Sequence, residues 1–226
     1  MQLYIGNKNY SSWSLRPWLL MKHAGIAFDE TVLRLGWEDD SPFKKTLLAI
    51  APSGRVPLLV DDGFAVWDSL AIAEYLAECF ADKQLWPADA KARARARSIC
   101  AEMHSGFADL RNTFGMNIEA SMPEIGDRML REKPGAARDL KRIDAMWSEA
   151  LQESGGPFLF GSFSIADAYF APVCTRIRTF ALPVGTASQS YGHRILDLPA
   201  FREWETAALA EHDFLLEDEP YRQRPI

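Results

Sequence analysis

Short apolar runs alternate with helical periodicity over the first third of the chain. The runs that predict strands are residues 2–5, 31–35, 58–60 and 64–67, and an Asp-Gly turn joins the last two. The segments with apolar residues at helical spacing are residues 13–25, 42–50 and 69–80. Ser41 followed by Pro42 is the favoured start of a helix. This pattern predicts a β-α-β-α-β-β-α unit.

Strand patterns nearly vanish beyond residue 90, and long helices are predicted instead. The predicted helices are residues 90–118, residues 123–154 with a break at Pro134-Gly135, a helix within residues 158–173, and residues 199–212. The helix within 158–173 is apolar nearly all round, so we expect it to be central and buried. Ser164 and Asp167 have the spacing of a capping box at its start.

This change of pattern predicts a fold that combines an α/β unit with an all-α unit. We expect one domain over residues 1–81, a linker over residues 82–89 and an all-helical domain over residues 90–226. The crevice between two such packed domains is the default place for a ligand.

Composition and charge narrow the classes of partner. The 226-residue chain has a net charge of −6 and a pI near 5.3, which favours neither nucleic acid nor an anionic membrane surface. No apolar run reaches the length of about 18 residues that spans a bilayer, and the first residues lack the pattern of a secretion signal. Cys79, Cys100 and Cys174 have neither disulfide nor zinc-ligand spacing. We therefore expect core thiols, a cytoplasmic location and no metal site.

The loop before the first helix, residues 10–14, carries hydroxyl groups where a redox protein would carry thiols. In a thioredoxin-like β-α-β-α-β-β-α arrangement a Cys-x-x-Cys pair stands here, and this chain has Ser11 and Ser14 instead. Disulfide exchange needs a thiolate nucleophile and is therefore excluded at this loop. A serine hydroxyl at a helix N-terminus can instead donate to a ligand's thiolate and lower its pKa. The alternative is that Ser11, Ser12 and Ser14 only cap the helix.

A second group of candidate ligand-binding residues surrounds the predicted hairpin. Pro57 has no amide hydrogen, so it fits only the start or the edge of its strand, and a cis peptide bond before it would turn the preceding backbone outward. Asp68 and Ser69 stand at the start of the next helix, where free N–H groups and the helix dipole bind an anion. The alternative is a plain hairpin followed by an ordinary capped helix.

Four segments taken together resemble the cytosolic glutathione S-transferase family, across essentially the whole chain. In chain order they are Ser11-Ser12-Trp13-Ser14-Leu15-Arg16, Pro52-Ser53-Gly54-Arg55-Val56-Pro57, Asp68-Ser69 with Ala71-Ile72, and Ser164-Ile165-Ala166-Asp167. The first is similar to the active-site loop of the serine-type theta and zeta classes, and the second to the family's cis-proline turn. The third is similar to the family's acid-Ser helix start, and the fourth to its folding-related capping box.

The resemblance implies a glutathione transferase in which a serine activates the thiol of glutathione for attack on a small electrophile. Ser11 stands five residues before Arg16, as the activating serine does in the serine classes, and Ser12 is the competing candidate. The resemblance also implies a thioredoxin-like glutathione-binding domain, an all-helical electrophile-binding domain, and a cytoplasmic homodimer with a role in detoxification. The expected ligands are therefore glutathione, as cosubstrate, and a small electrophile.

The resemblance further implies which residues would bind glutathione. The backbone of Val56 would pair with the cysteinyl amide, as an added strand does. Ser69 and its N–H would hold the γ-glutamyl carboxylate, and Asp68 would face the γ-glutamyl ammonium. Arg55 would reach the glycine carboxylate. The weaker alternatives for that last contact are Lys44 and Lys45.

The electrophile side is implied by residues on the first long helix of the helical part. These residues lie near helical spacing and are His104, Phe107, Arg111 and Asn112. Similar family members place electrophile-binding residues on this helix, and Asn112 matches a position used in the zeta class. The alternatives are that His104 is structural and that Phe107 belongs to the core.

Trp13 departs from the zeta motif, which has cysteine after the paired serines. Two alternatives therefore stand beside the transferase. One is a zeta-like glutathione-dependent cis-trans isomerase of the maleylacetoacetate type, which the Ser11-Ser12 pair favours and Trp13 disfavours. The other is a non-catalytic transferase-fold protein that serves protein interaction, which the presence of the glutathione-contacting candidates disfavours. The sequence does not name the electrophile.

Overall fold

Four strands form one mixed sheet in the first third of the chain. The computed structural model describes residues 1–223. The strands are β1 (Gln2–Ile5), β2 (Asp29–Val32), β3 (Leu58–Asp61) and β4 (Phe64–Trp67). The helices between and after them are α1 (Ser12–His23), α2 (Pro42–Leu48) and α3 (Ser69–Cys79). The sheet order is β2-β1-β3-β4, with β1 parallel to β2 and the other pairs antiparallel. The predicted β-α-β-α-β-β-α order is confirmed.

In the remainder of the described chain the regular structure is helical, apart from two isolated β-bridges between residues 158 and 162. The α-helices are α4 (Ala90–Ser105), α5 (Ala108–Thr113), α6 (Pro123–Glu132), α7 (Pro134–Ser154), α8 (Ile165–Phe180), α9 (Thr186–Leu196) and α10 (Pro199–Ala210). The predicted combination of an α/β unit with an all-α unit is therefore confirmed. The break at Pro134 is also confirmed, whereas α9 was not predicted.

The predicted helix over residues 90–118 is wrong, because the chain breaks at Gly106 and Phe107. Gly106 has φ −101° and ψ −165°, and Phe107 has φ 54°, which lies in the left-handed region. A Cβ at Gly106 would lie 2.7 Å from the carbonyl oxygen of Glu102, so the turn fits only glycine. The helix therefore ends at Ser105, and α5 starts in a new direction. This break sets the course of the chain that carries Arg111 and Asn112.

Two smaller expectations were also wrong. The alternating run 31–35 is extended, but its pairing with β1 covers only residues 29–32, because β1 ends at Ile5, opposite Val32. Cys79, the last residue of α3, is exposed, whereas Cys100 and Cys174 are buried as expected.

Helix α8 is the central element of the helical part, as its apolar sequence predicted. Nearly all of its residues are buried. The predicted capping box is present: the backbone N–H of Ser164 donates to the Asp167 carboxylate at 2.8 Å, and Asp167 also accepts from the hydroxyl of Tyr191 at 3.1 Å. Leu15 of α1 and Phe170 of α8 belong to one buried apolar cluster. The first third therefore packs directly on α8.

The C-terminal segment returns to the first third of the chain. Leu215 is buried against Tyr10 and Phe43, and the buried carboxylate of Glu219 accepts the Tyr10 hydroxyl at 2.7 Å. The division into residues 1–81, a linker at 82–89 and residues 90–226 stays a prediction, and its last residues, 224–226, lie outside the described chain. Within residues 1–223 no helix combines the length and the apolar character needed to cross a membrane.

Candidate active site

Two adjoining cavities open between the sheet unit and the helical part. We name them the Ser69 cavity, of about 370 Å³, and the Ser11 cavity, of about 490 Å³. The residues that line both are Trp13, Arg55, Val56 and Arg111. The Ser69 cavity is further lined by Ser53, Pro57, Trp67, Asp68, Ser69 and His104. The Ser11 cavity is further lined by residues that include Tyr10, Ser11, Ser12, Trp37, Lys44, Asn112, Arg176 and Asp218. The two cavities form one crevice.

Ser11 lies at the N-terminus of α1, on the wall of the Ser11 cavity. Its side chain makes no capping hydrogen bond to the helix. The hydroxyl donates instead to the Ser14 hydroxyl at 2.7 Å, and the Ser14 oxygen also accepts the N–H of Gly6 at 3.1 Å. By contrast, the Ser41 side chain caps α2 in the expected way by accepting the N–H of Lys44. The N-terminal end of α1 therefore directs its positive potential toward the cavity without a serine cap.

Ser12 is the first residue of α1 and lines the same cavity. Its hydroxyl forms no hydrogen bond within residues 1–223, while its backbone N–H donates to the Tyr10 carbonyl at 2.9 Å. Ser11 and Ser12 thus both reach the cavity, but only Ser11 is connected to a second hydroxyl. This difference separates the two candidates in a way that the sequence did not.

The start of α3 forms the wall of the Ser69 cavity. Asp68 has φ 74° and caps α3 by accepting the N–H of Leu70 at 2.8 Å. The Ser69 hydroxyl lies 2.9 Å from the hydroxyl of Tyr169, on α8. Val56, which follows the exposed Arg55, makes no backbone hydrogen bond within residues 1–223 and precedes a cis Val56-Pro57 bond. The cavity therefore offers an anion site at a helix N-terminus beside the unpaired backbone of Val56.

His104 lies on the Ser69 side of the crevice, beside the residues predicted to bind glutathione. Its Nε2 is 3.3 Å from the Asp68 carboxylate, and its Nδ1 is 3.2 Å from the hydroxyl of Tyr169. Its ring meets the Trp13 ring edge-on at 5.3 Å. A continuous chain of polar contacts thus runs from Asp68 through His104 and Tyr169 to Ser69. Burial raises the pKa of Tyr169, which keeps this hydroxyl neutral.

The other residues predicted for the electrophile side differ in position. Arg111 lines both cavities, and Asn112 lines the Ser11 cavity. Phe107 is buried in the main apolar cluster and lines neither cavity. We therefore leave Phe107 out of the proposed site, in line with its alternative interpretation as a core residue.

Three arginine side chains surround the base of the crevice without a carboxylate at ion-pair distance within residues 1–223. Arg16 is 1% exposed, and its guanidinium lies 4.0 Å from the ring centre of Trp13. Arg176 is 3% exposed and donates to the carbonyls of Phe114 at 2.7 Å and Pro172 at 3.0 Å. The third side chain is that of Arg111, which donates twice to the Gly106 carbonyl and lies 5.3 Å from the Trp13 ring centre. The partners of all three are thus carbonyls and rings.

Burial lowers the pKa of Arg16 to about 10, and the neighbouring positive charge of Arg111 lowers it further. Burial lowers the pKa of Arg176 to about 9, again with the charges of Arg16 and Arg111 acting in the same direction. All three side chains stay protonated at neutral pH. Because buried positive charge without a counter-ion is costly, the cluster favours binding of an anion.

The charged residues that line the Ser11 cavity are mostly positive, whereas the whole chain has a net charge of −6. These charged residues are Lys44, Arg55, Arg111, Arg176 and Asp218. Sequence reasoning missed Arg176 and Tyr169 as site residues. The signal for Arg176 was a charged side chain shortly after a long apolar run of α8. A charged residue is seldom buried without a partner, so such a position indicates a ligand or a structural partner.

Comparison with known proteins gives matches over most of the chain. The sequence model described as the glutathione S-transferase N-terminal domain matches residues 10–79, and that of the C-terminal domain matches residues 90–207. The chain is 30% identical over 203 residues to a probable maleylacetoacetate isomerase of Caenorhabditis elegans, covering 88% of this chain and 90% of that protein. It is 28% identical over 204 residues to the maleylacetoacetate isomerase of Rattus norvegicus, covering 88% and 89%.

Solved structures share the fold. A holo structure of maleyl pyruvate isomerase, described as a bacterial glutathione S-transferase in the zeta class, has a TM-score of 0.70 at 23% identity and covers 93% of this chain and 99% of that one. A glutathione transferase homologue from Burkholderia with bound glutathione has a TM-score of 0.68 at 23% identity, covering 92% and 97%. The likeness over more than nine tenths of this chain shows that the overall fold is shared.

Proposed function

The chain belongs to the glutathione S-transferase family, and from this premise we propose that it activates the thiol of glutathione at Ser11 for attack on a small electrophile. The observation that carries the proposal is the position of Ser11. Its hydroxyl lies on the wall of a cation-lined cavity at the N-terminus of α1 and makes no capping bond to that helix. Glutathione is the cosubstrate, and its sulfur would be the nucleophile because a serine supplies no thiolate of its own.

We propose that the γ-glutamyl end of glutathione occupies the Ser69 cavity. The carboxylate would bind at the N-terminus of α3, beside Ser69, and the ammonium would face Asp68. The unpaired backbone of Val56 supports an added-strand contact with the cysteinyl amide. Arg55 would bind the glycine carboxylate, with Lys44 as the alternative; the lining of both cavities by Arg55 and of the Ser11 cavity by Lys44 supports this, whereas Lys45 lines neither. His104 would then act through Asp68 on glutathione rather than on the electrophile.

Thiol activation at Ser11 would be electrostatic. The hydroxyl would donate to the thiolate, and the N-terminus of α1 with Arg16 and Arg111 nearby would favour the charged form of the sulfur. Each of these effects lowers the thiol pKa from its ordinary value of about 8.5. The thiolate would then attack an electrophile held against α5 and α8, where Arg111, Asn112 and Arg176 line the Ser11 cavity.

A second candidate reaction is the glutathione-dependent cis-trans isomerisation of an anionic substrate. The observation that favours it is the arginine cluster, since the maleyl-type compounds in the names of the relatives carry carboxylates. In this reaction the thiolate adds to a conjugated carbon–carbon double bond, the resulting single bond rotates, and elimination of the thiolate restores the double bond. Glutathione is returned unchanged. Trp13, in the place of the isomerase cysteine, holds Arg16 and Arg111 over its ring.

We also propose that the protein is a cytoplasmic homodimer that serves detoxification. The edge strand β4 exposes Phe64 and Trp67, with relative exposures of 63% and 44%. Phe64 lies beside Tyr75 of α3, at a ring distance of 6.2 Å. An exposed apolar edge of this kind supports pairing with a second copy of the chain.

The test compares wild type, Ser11→Ala and Ser12→Ala on a panel of electrophiles that includes a maleyl-type isomerase substrate. We expect Ser11→Ala to lower kcat/KM by about 10²-fold or more on every accepted substrate, in the range found for a lost oxyanion-type donor. Ser12→Ala should retain most of the activity. Equal activity of Ser11→Ala and wild type across the panel would reject the proposed role of Ser11.

A further inference from the structure

We infer that Ser14 is a positioning residue that frees the Ser11 proton for the thiolate of glutathione; the inference rests on the proposed role of Ser11. Ser14 lies in the first turn of α1 and is 0% exposed. It therefore cannot touch glutathione itself. It acts on the sulfur only through the hydroxyl of Ser11, which lies 2.7 Å away.

The hydrogen bonds behind Ser11 form a chain that starts at the backbone. The N–H of Gly6 donates to the Ser14 oxygen at 3.1 Å, and the Ser11 hydroxyl donates to the same oxygen. The loop is held close, because a Cβ at Gly6 would lie 3.2 Å from Cβ of Ser11 and 2.6 Å from Cδ2 of Leu35. The three groups thus lie in a closely packed part of the loop, where the side chains of Leu35 and Ser11 crowd Gly6.

A serine hydroxyl has a single proton, which it can direct at one acceptor. As the chain stands, the Ser11 proton is directed at Ser14 and is therefore not available to a ligand. The Ser14 oxygen accepts two hydrogen bonds, and its own proton has no other acceptor within residues 1–223. The direction of the Ser11–Ser14 bond is thus the property that decides whether Ser11 can donate to a sulfur.

On arrival of a thiolate, the Ser11 proton would turn to the sulfur and the Ser14 proton would turn to the Ser11 oxygen. The Gly6 N–H occupies a lone pair of Ser14 and leaves the Ser14 proton free for this reversal. No polar group loses its partner, so the reversal carries no desolvation penalty. The resulting chain runs from Gly6 N–H through Ser14 and Ser11 to the thiolate, and each donor strengthens the next.

Ser12 has no such support. Its hydroxyl forms no hydrogen bond within the described residues, so nothing behind it orients its proton or polarises its oxygen. The chain through Ser14 therefore assigns thiol activation to Ser11 rather than Ser12.

The experiment measures the thiol pKa of bound glutathione from the ultraviolet absorbance of the thiolate across a pH series, together with the pH profile of kcat/KM. Ser14→Ala should raise the pKa of the bound thiol by roughly 0.5 to 1 and lower kcat/KM at neutral pH, with activity recovering at higher pH. Ser14→Thr keeps the hydroxyl and should restore the thiol pKa. Ser12→Ala is the matched control and should leave it unchanged.

Affinity for S-methylglutathione, which has no ionisable thiol, reports whether the site is intact, and should be the same in wild type and Ser14→Ala. If Ser14→Ala binds S-methylglutathione poorly, Ser14→Cys is used in its place. The cysteine side chain keeps the volume of serine but is a weak hydrogen-bond donor. Ser14→Cys should therefore also raise the pKa of the glutathione thiol. If Ser11→Ala raises the thiol pKa but Ser14→Ala and Ser14→Cys leave it unchanged, the inference is overturned and the proposed function stands. A thiol pKa unchanged in Ser11→Ala would overturn the proposed function itself.

Discussion

The hydroxyl of Ser69 lies 2.9 Å from the hydroxyl of Tyr169. The two residues are a hundred positions apart, at the start of α3 and within the buried helix α8. Tyr169 also contacts His104, which in turn contacts Asp68, so both residues proposed to bind the γ-glutamyl end are held from the helical part of the chain. Glutathione affinity should therefore depend on a tyrosine that lines neither cavity.

Tyr169→Phe removes this hydroxyl without changing the ring. We expect KM for glutathione to rise by about 2- to 10-fold with kcat nearly unchanged, because the contacts of this hydroxyl with Ser69 and His104 are lost. Steady-state kinetics with glutathione as the varied substrate measure the effect. Tyr191→Phe is the matched control, since it also removes a buried tyrosine hydroxyl but one that donates to Asp167; it should lower the melting temperature and leave KM unchanged. Equal KM values for the two variants would contradict the proposed link.

Arg111→Met tests the anion preference of the Ser11 cavity. We expect kcat/KM for a carboxylate-bearing electrophile to fall by about 10- to 100-fold, the range for a lost charge-assisted hydrogen bond, while a neutral electrophile is affected much less. Arg111→Lys keeps the charge and should recover part of the activity on the anionic substrate. Arg95→Met, which removes an exposed arginine paired with Glu149, serves as the control for net charge. Equal losses on anionic and neutral electrophiles would contradict the anion site.

The carboxyl group of Asp218 should make the stability of the folded protein depend on pH, and the direction follows from its pKa. Burial raises the pKa of Asp218 to about 6, and the neighbouring charges of Glu217 and Glu219 raise it further. The ordinary pKa in the unfolded chain is about 3.9, so the folded state holds the proton more tightly. Since the folded state binds more protons between these two values, stability should rise as the pH falls from about 6 to about 4.

Asp218→Asn should therefore raise the melting temperature at pH 7 and have a smaller effect at pH 4, where the carboxyl is neutral in the folded protein. One oxygen of this carboxylate is buried without a hydrogen-bond partner within residues 1–223, which gives the neutral amide its advantage. Thermal melts at the two pH values measure the difference. Glu217→Gln removes only one of the neighbouring charges that raise this pKa, so it should raise the melting temperature at pH 7 by less than Asp218→Asn does. A destabilised Asp218→Asn at pH 7 would refute the prediction.

Phe64→Glu tests the proposed homodimer. A charge on the exposed apolar edge of β4 should shift sedimentation equilibrium from dimer toward monomer without unfolding the sheet, because Phe64 is mostly exposed. Leu48→Glu, on α2, changes another apolar residue that is more than half exposed and should leave the dimer intact. A wild-type protein that sediments as a monomer would remove the basis of this proposal.

Local signals predicted most of the elements correctly. The Ser41 cap before Pro42, the Asp-Gly turn between β3 and β4 and the Ser164–Asp167 capping box each depend on residues within three or four positions of one another. The prediction of a single helix over residues 90–118 also failed for a local reason, at Gly106. The helix predicted over residues 90–118 runs through Gly106, but the backbone of Gly106 leaves the helical conformation and α4 ends there.

The sequence by itself determined the order of the elements, the hydroxyl loop at Ser11 and the family resemblance, because caps, turns and hydrophobic periods act over a few residues. Only the tertiary structure decided that His104 lies against Asp68 and that Tyr169 backs Ser69. It also decided that the charges of Arg16 and Arg176 act on one another with no carboxylate at ion-pair distance within residues 1–223. These interactions join residues far apart in the chain: Tyr169 lies 100 positions after Ser69, and Arg176, whose pKa the charge of Arg16 lowers, lies 160 positions after Arg16. Their geometry is set by how α1, α4 and α8 pack, which no local preference encodes.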